Sequence, residues 1–300
     1  MDRYEQFRHA AIDRGLPEDE AAEFAAHLRF EIRLGAGPDE KVVAQSGGLP
    51  RLPVGVEWPA SGNGSPLPFI ASIDCGLLPR AEGLPLPVDG SLLLFLHHEE
   101  DVEAEAHTSE PDHARALYVP AGADTAVASP PPDHATRALF YEDDTPFLLP
   151  EGQMSAWIQP VLPDWIEAED PESEPEAVKQ LLDELKHVDE LCELVDELWP
   201  EPDGSCFLRL GGYCEEIGGQ NPPWTQMADA HLRNSAAAGL RGPERFRLLH
   251  EEEHRLIREW VPLAQFYTTS DLYYGCFLIS FDDLAAGRFD QMRSFTMFTE

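Results

Sequence analysis

The stretch Gly47-Gly48-Leu49-Pro50-Arg51-Leu52-Pro53-Val54-Gly55-Val56-Glu57-Trp58-Pro59 decides how this chain is read. It holds three glycines, three prolines and one tryptophan in thirteen residues. Proline removes a backbone donor and glycine costs backbone entropy, so neither a helix nor a central strand suits it. We read it as a stiff loop, with Trp58 as its anchor on apolar surface. A second version follows late in the chain: Gly211-Gly212, then Gly218-Gly219-Gln220-Asn221-Pro222-Pro223-Trp224. Each version leads into apolar, strand-like runs. Phe69-Ile70-Ala71-Ser72-Ile73 matches Leu263-Ala264-Gln265-Phe266, with Ala71 on Ala264, and the run from Gly90 matches the run from Gly275. The shared order predicts an α+β protein with an internal duplication.

Outward from these anchors, residues 2–34 read as two helices. The first ends near Gly15, and Pro17 opens the second, with Glu18, Asp19 and Glu20 where the helix dipole favours acids. Residues 30–34 fit a strand equally well by alternation. Strands are expected at 69–73, 90–96, 114–120 and 138–141, with an exposed loop over 121–136 and a polar loop over 97–113. Residues 164–203 hold sixteen acids and two lysines, a net of −14. Within them Val178, Leu181, Leu185, Val188, Cys192, Val195 and Trp199 recur every three or four residues, which predicts one long acidic helix docked on the core. A helix over 243–260 follows, then strands at 261–267, 275–281 and 295–298 and a short turn or helix at 282–284. The segments are an N-terminal helical part (1–36), a first β-rich repeat (37–163), an acidic helical insertion (164–203) and a second β-rich repeat (204–300), all in one compact domain.

The blocks Ser46–Pro53 with Glu57-Trp58-Pro59, Pro66–Asp74 and 90–95 resemble the YwqG-like family of uncharacterised bacterial proteins. So do Trp260-Val261-Pro262-Leu263-Ala264-Gln265-Phe266, residues 275–281, Asp283-Leu284 and Phe289. The resemblance spans roughly residues 40–298. It implies a β-rich antiparallel roll with internal duplication and no established activity. The chain departs from the family pattern at Ser72, where glutamine is usual, and at Tyr273-Tyr274-Gly275, where a Gly-Asp-Gly-like approach is usual.

Fifty-six acids against twenty-one bases leave a net charge of −35. Such a chain lacks the basic clusters that bind a phosphate backbone and is repelled by anionic membranes, so neither nucleic acid nor membrane is an expected partner. The same field attracts basic proteins and cationic ligands. The five cysteines, Cys75, Cys192, Cys206, Cys214 and Cys276, form no zinc or disulfide pattern. The start of the chain has no signal-peptide core and no long apolar run occurs, so a cytoplasmic location is expected.

His250-Glu251-Glu252-Glu253-His254 matches the zinc pattern in which two histidines one helical turn apart chelate and the first Glu activates water. Acids are so common here, and the third ligand so unspecified, that a solvated helix face is the expected reading and no metal or cofactor is assigned. His97, His98, Glu99, Glu100, Asp101, His107 and His113 form a second, irregular cluster, read as a polar loop. Neither glycine pair has a phosphate-loop continuation. Cys75 lacks a histidine placed near it by any motif.

The expectation for function is a non-enzymatic binding protein whose acidic surface takes a basic protein partner, in the manner of an immunity protein. The alternative is a small-molecule or hydrolytic enzyme with a pocket between the repeats. Its ligand-binding residues would be Gly47, Gly48, Trp58, Asp74, Gly211, Gly212, Gln220, Trp224 and Gln265, with Asp74 as base.

Overall fold

A computed structural model describes residues 2–37, 41–103, 113–132, 134, 147–167, 176–215, 217, 221–267 and 273–298. Its centre is a ten-stranded antiparallel sheet. The strands are β1 (Arg29–Ala36), β2 (Ala44–Ser46), β4 (Phe69–Asp74), β5 (Ser91–Leu96), β6 (Ala114–Val119), β8 (Gly152–Val161), β9 (Ser205–Gly211), β10 (Trp260–Tyr267), β11 (Tyr273–Ser280) and β12 (Arg293–Phe298). Their order is β12-β11-β10-β9-β1-β8-β2-β4-β5-β6, and β3 (Arg51–Pro53) with β7 (Thr125–Val127) forms a separate two-stranded piece.

The sheet curls until its ends approach. Helix α3 (His98–Glu103) follows β5 and reaches β12, where Asp101 accepts hydrogen bonds from Ser294 Oγ (2.5 Å) and Thr296 Oγ1 (2.7 Å). Tyr118 of β6 stacks on Phe289, which precedes β12, at 5.7 Å. The outcome is a nearly closed, barrel-like sheet.

One face of every main strand but β12 joins a single core with the helices α1 (Arg3–Arg14), α2 (Glu18–His27) and α5 (Val188–Leu198). The other face is covered by two smaller cores. Trp224, Met227 and Ala228 of α6 (Pro223–Arg233) and Leu256 of α7 (Pro243–Glu259) pack on Tyr274, Cys276, Leu278, Phe295 and Met297. Leu52, Trp58 and Leu67 pack on Phe69, Leu93, Phe95, Leu117 and Val119.

Counted outward from the central β1–β8 pair, the two sides of the sheet correspond strand by strand. Arg209 faces Arg33 and Gln265, as Gln45 faces Gln153 and Ser72. Gln265 faces Cys276, as Ser72 faces Leu93. A register shift falls between Pro262 and Ala264 on one side and between Phe69 and Ala71 on the other. The strand β1 precedes β2 in the chain yet pairs with β9, while β8 precedes β9 yet pairs with β2.

Several expectations change. Residues 29–36 are strand, because β8 and β9 flank them and satisfy both backbone edges. The acidic stretch forms two helices, α4 (Glu176–Glu184) and α5, rather than one. The break comes at His187, whose backbone N–H and ring Nδ1 both meet the Glu20 carboxylate of α2 at 3.1 and 3.0 Å, satisfying a helix-start donor from outside the helix. The polar loop after β5 begins as α3, and the loop over 121–136 contains β7. Pro222-Pro223-Trp224 opens α6 instead of lying in a stiff loop, since proline is tolerated in a first helical turn. The ladders also set Ser91, opposite Asp74, against Tyr274, opposite Tyr267. Counted along these ladders, Gly90 falls at the register position of Tyr273 and Gly275 at that of Leu92. The strand expected at 138–141 lies outside the described residues.

Candidate functional site

Both glycine pairs adopt left-handed backbone, with φ of +59° and +69° at Gly47 and Gly48 and +86° and +74° at Gly211 and Gly212. Each turn brings the second glycine against an acidic residue, Glu31 of β1 or Glu151 just before β8. A Cβ on Gly212 would sit 2.6 Å from Glu31 Oε2, and one on Gly48 would sit 3.2 Å from Glu151 Cβ. The two turns are therefore built alike, but their surroundings differ.

Around Gly211-Gly212 the space is filled by the chain's own side chains. Gln265 Nε2 donates to the carbonyls of Tyr213 (2.8 Å) and Gly211 (3.4 Å). Its Oε1 accepts from Tyr274 Oη (2.7 Å) and the Glu215 N–H (3.3 Å). All four hydrogen-bonding positions of the amide are occupied. Arg209 pairs with Glu215, Arg33 Nε donates to Glu31 at 2.7 Å, and Tyr267 Oη reaches Glu215. Burial pushes the Glu31 carboxyl up, opposed by the Arg33 and Arg209 charges.

Around Gly47-Gly48 the corresponding space is an open groove of about 230 Å³, with Gln45, Ser72, Asp74, Ser91, Glu151 and Gln153 in its lining. Gln45 Nε2 donates to the Gly47 carbonyl at 3.0 Å, and Asp74 Oδ1 accepts from the Gly76 N–H at 2.9 Å.

A larger cavity, about 530 Å³, lies where α6 and α7 cover the sheet. Trp165, Tyr213, Trp224, Phe246 and Ile257 give it apolar walls, and Thr225, His250, Glu253 and His254 give it polar groups. Glu253 is held from two sides: Thr225 Oγ1 donates to one oxygen, and His250 Nδ1 lies 3.3 Å from the other. His250 Nε2 is buried without a hydrogen-bond partner. Burial holds His254 below the ordinary imidazole value.

The pattern of the domain of unknown function DUF1963 matches residues 44–296. The chain belongs to the DUF1963 family. No match to a curated protein was found. The match runs from the first residue of β2 into β12, so it takes in both glycine turns of this DUF1963 chain.

The expected site residues scatter. Asp74 on β4 and Gln265 on β10 are separated in the sheet by β9, β1, β8 and β2. Trp58 holds its own loop, donating from Nε1 to the Leu67 carbonyl at 2.7 Å and packing edge-on to Phe95. Trp224 is buried and also lines the cavity. Gln220 lies outside the described residues.

The zinc reading separates on the helix. His250 and His254 line the cavity, while Glu251 pairs with Arg247 and is exposed. Among the described residues, no three His, Cys, Asp or Glu side chains gather as a metal-binding group. In the other histidine cluster, burial and then the neighbouring His97 lower His98 to about 4, and its ring lies 4.8 Å from Tyr273. His107 lies outside the described residues. Burial pushes the Cys75 thiol up to about 11, so it is a packed thiol and not a ready nucleophile.

Sequence reasoning missed Thr225, Glu253 and Tyr213 as cavity residues. The signal present was helical spacing: His250, Glu253 and His254 fall three and four residues apart, on one face of α7.

Proposed function

We propose that this DUF1963 chain is a non-catalytic binding protein whose principal ligand site is the cavity between α6, α7 and the sheet. One observation carries the reading: His250 Nε2 is buried in the wall of a roomy, partly aromatic cavity with no partner of its own. A cavity of this size with few convergent polar groups is the usual form of a small-molecule site. With Nδ1 turned to the Glu253 carboxylate, Nε2 presents a lone pair. The ligand that fits is a small molecule with a flat apolar body and an N–H or O–H donor. The test is ligand-observed NMR of a fragment collection against the wild type and His250→Leu. Donor-bearing fragments that bind at least about tenfold more weakly to the variant support the reading. An absence of hits, or hits indifferent to the substitution, rejects it.

A second reading is an acidic face for a basic protein partner in the manner of an immunity protein, within a YwqG-like, cytoplasmic protein. Its support is α5, whose Glu193 and Glu197 side chains are mostly exposed and pair with Arg14 of α1. Pull-downs that give the same partners at low and high salt would sink it.

We also propose that the two sides of the sheet descend from one duplicated unit with exchanged first strands. The support is the matched ladder register, the matched register shifts and the matched left-handed glycine pairs.

A further inference from the structure

We propose that the groove beside Gly47-Gly48 is a binding site for an alkylguanidinium group. The proposal stands on the ladder register and is independent of the cavity reading. Position by position, the groove residues match the charged cluster beside Gly211-Gly212. Glu151 stands for Glu31, Gln153 for Arg33, Gln45 for Arg209 and Ser72 for Gln265. Asp74 stands for Tyr267 and Ser91 for Tyr274.

On the β1–β9 side of the sheet two guanidinium groups, Arg33 and Arg209, stand beside the Glu31 carboxylate. On the β8–β2 side the carboxylate persists as Glu151, a second one is added as Asp74, and both cation positions are amides. The bulky Gln265 and Tyr274 are replaced by two serines, and a groove of about 230 Å³ opens in their place. That volume is below the usual range for drug-sized ligands and suits a single extended side-chain-sized group. A planar guanidinium matches carboxylate oxygens in pairs and also takes amide and hydroxyl acceptors, which a compact ammonium does less well. Of the cations on neighbouring segments, Arg80 is committed elsewhere, donating to the carbonyls of Cys75, Leu86, Pro87 and Val88, while Lys41 donates to the carbonyl of Leu77 at the groove's margin. The sheet thus carries, on its β1–β9 side, a filled example of what its β8–β2 side leaves open.

The experiment is an amide-NMR titration of the full chain with a capped Gly-Arg-Gly peptide, its citrulline counterpart, and agmatine. Saturable shifts centred on Gln45 and Ser72 are expected with the arginine peptide or agmatine, and none with citrulline. Glu151→Gln, on an exposed side chain, should weaken binding about tenfold. Gln45→Arg should abolish it by supplying the guanidinium from within, and its melting temperature reports that the fold is kept. Glu190→Gln on α5 and His250→Leu should leave it unchanged. A free guanidinium compound as the natural source predicts agmatine at least as tight as the peptide, whereas a protein side chain predicts the peptide tighter. Binding that citrulline matches, or that Glu151→Gln and Gln45→Arg leave intact, would overturn the proposal, because only the diffuse negative field would then be at work.

Discussion

The glycines show how a single residue type answers different demands. Gly47 and Gly122 share a left-handed φ, +59° and +78°. A Cβ on Gly47 would lie 2.3 Å from the Pro150 carbonyl oxygen, while one on Gly122 would meet nothing within 4 Å. Gly122→Ala should therefore cost about 1 kcal/mol, from backbone strain alone. Gly47→Ala should cost at least ~2–3 kcal/mol, because backbone must also move. Urea denaturation of the two variants tests the difference, and equal losses would mean that the Gly47 turn adapts freely. Gln265→Leu leaves the Tyr274 hydroxyl, the Glu215 N–H and the Tyr213 carbonyl without their partner. The same measurement should show a loss of ~2–4 kcal/mol, since each buried unpaired group costs roughly 1–3 kcal/mol. At this scale the sequence read the special residues well and their duties poorly. Trp58 was legible as an anchor because a lone large aromatic stands in a stretch of glycine and proline, although that stretch also holds the short strand β3. Gln265 was not legible as a saturated strut, because its four partners come from β9's exit and from β11.

Among elements, α3 carries two buried titratable groups of opposite tendency. His98 is held at about 4, below its ordinary 6.5, so the folded state binds fewer protons than the unfolded chain between those values. That contribution is complete above pH 6.5 and is lost as pH falls towards 4, by about 3 kcal/mol in full. Asp101 is raised by burial, against the hydrogen bonds from Ser294 and Thr296, so its folded state binds more protons. Its contribution is greatest at low pH and declines as pH rises through its folded value. His98→Gln should flatten the acid limb of the stability profile between pH 6.5 and 4. Asp101→Asn should flatten the decline above the ordinary carboxylate range. Denaturation midpoints taken across pH 4–7 check both, and an unchanged acid limb in His98→Gln would remove this account. The helix α3 itself was hidden because its sequence, His98-Glu99-Glu100-Asp101-Val102-Glu103, carries only one apolar residue. Its place is fixed by β12, nearly two hundred residues away (Asp101 with Thr296). The single acidic helix failed for a similar reason: its apolar spacing continues through 185–187, but Glu20 of a distant helix takes the donors there.

At the scale of the molecule, the −35 charge acts as a uniform strain. Screening should relieve it, so the melting temperature should rise by ~2–4 °C between low and 0.5 M sodium chloride, about what 1 kcal/mol gives in a chain of this size. A fall with salt would mean that the ion pairs, such as Arg3–Glu82 and Arg14–Glu197, outweigh the repulsion. The antiparallel, β-rich character was implied by the family resemblance, and most outer strands were legible from apolar runs near glycine and proline. The sheet order was not, because β1 and β8 carry mixed faces and take their positions from each other and from β9 and β2. That central exchange governs how the chain can be made. As it leaves the ribosome, β1 has no ladder partner until β8 is synthesised, and Glu31 must wait for Gln159 and then Gly211. For most of translation the apolar residues Phe30, Ile32 and Leu34 travel uncovered by their strands, so folding is late, slow and dependent on what shields the nascent chain.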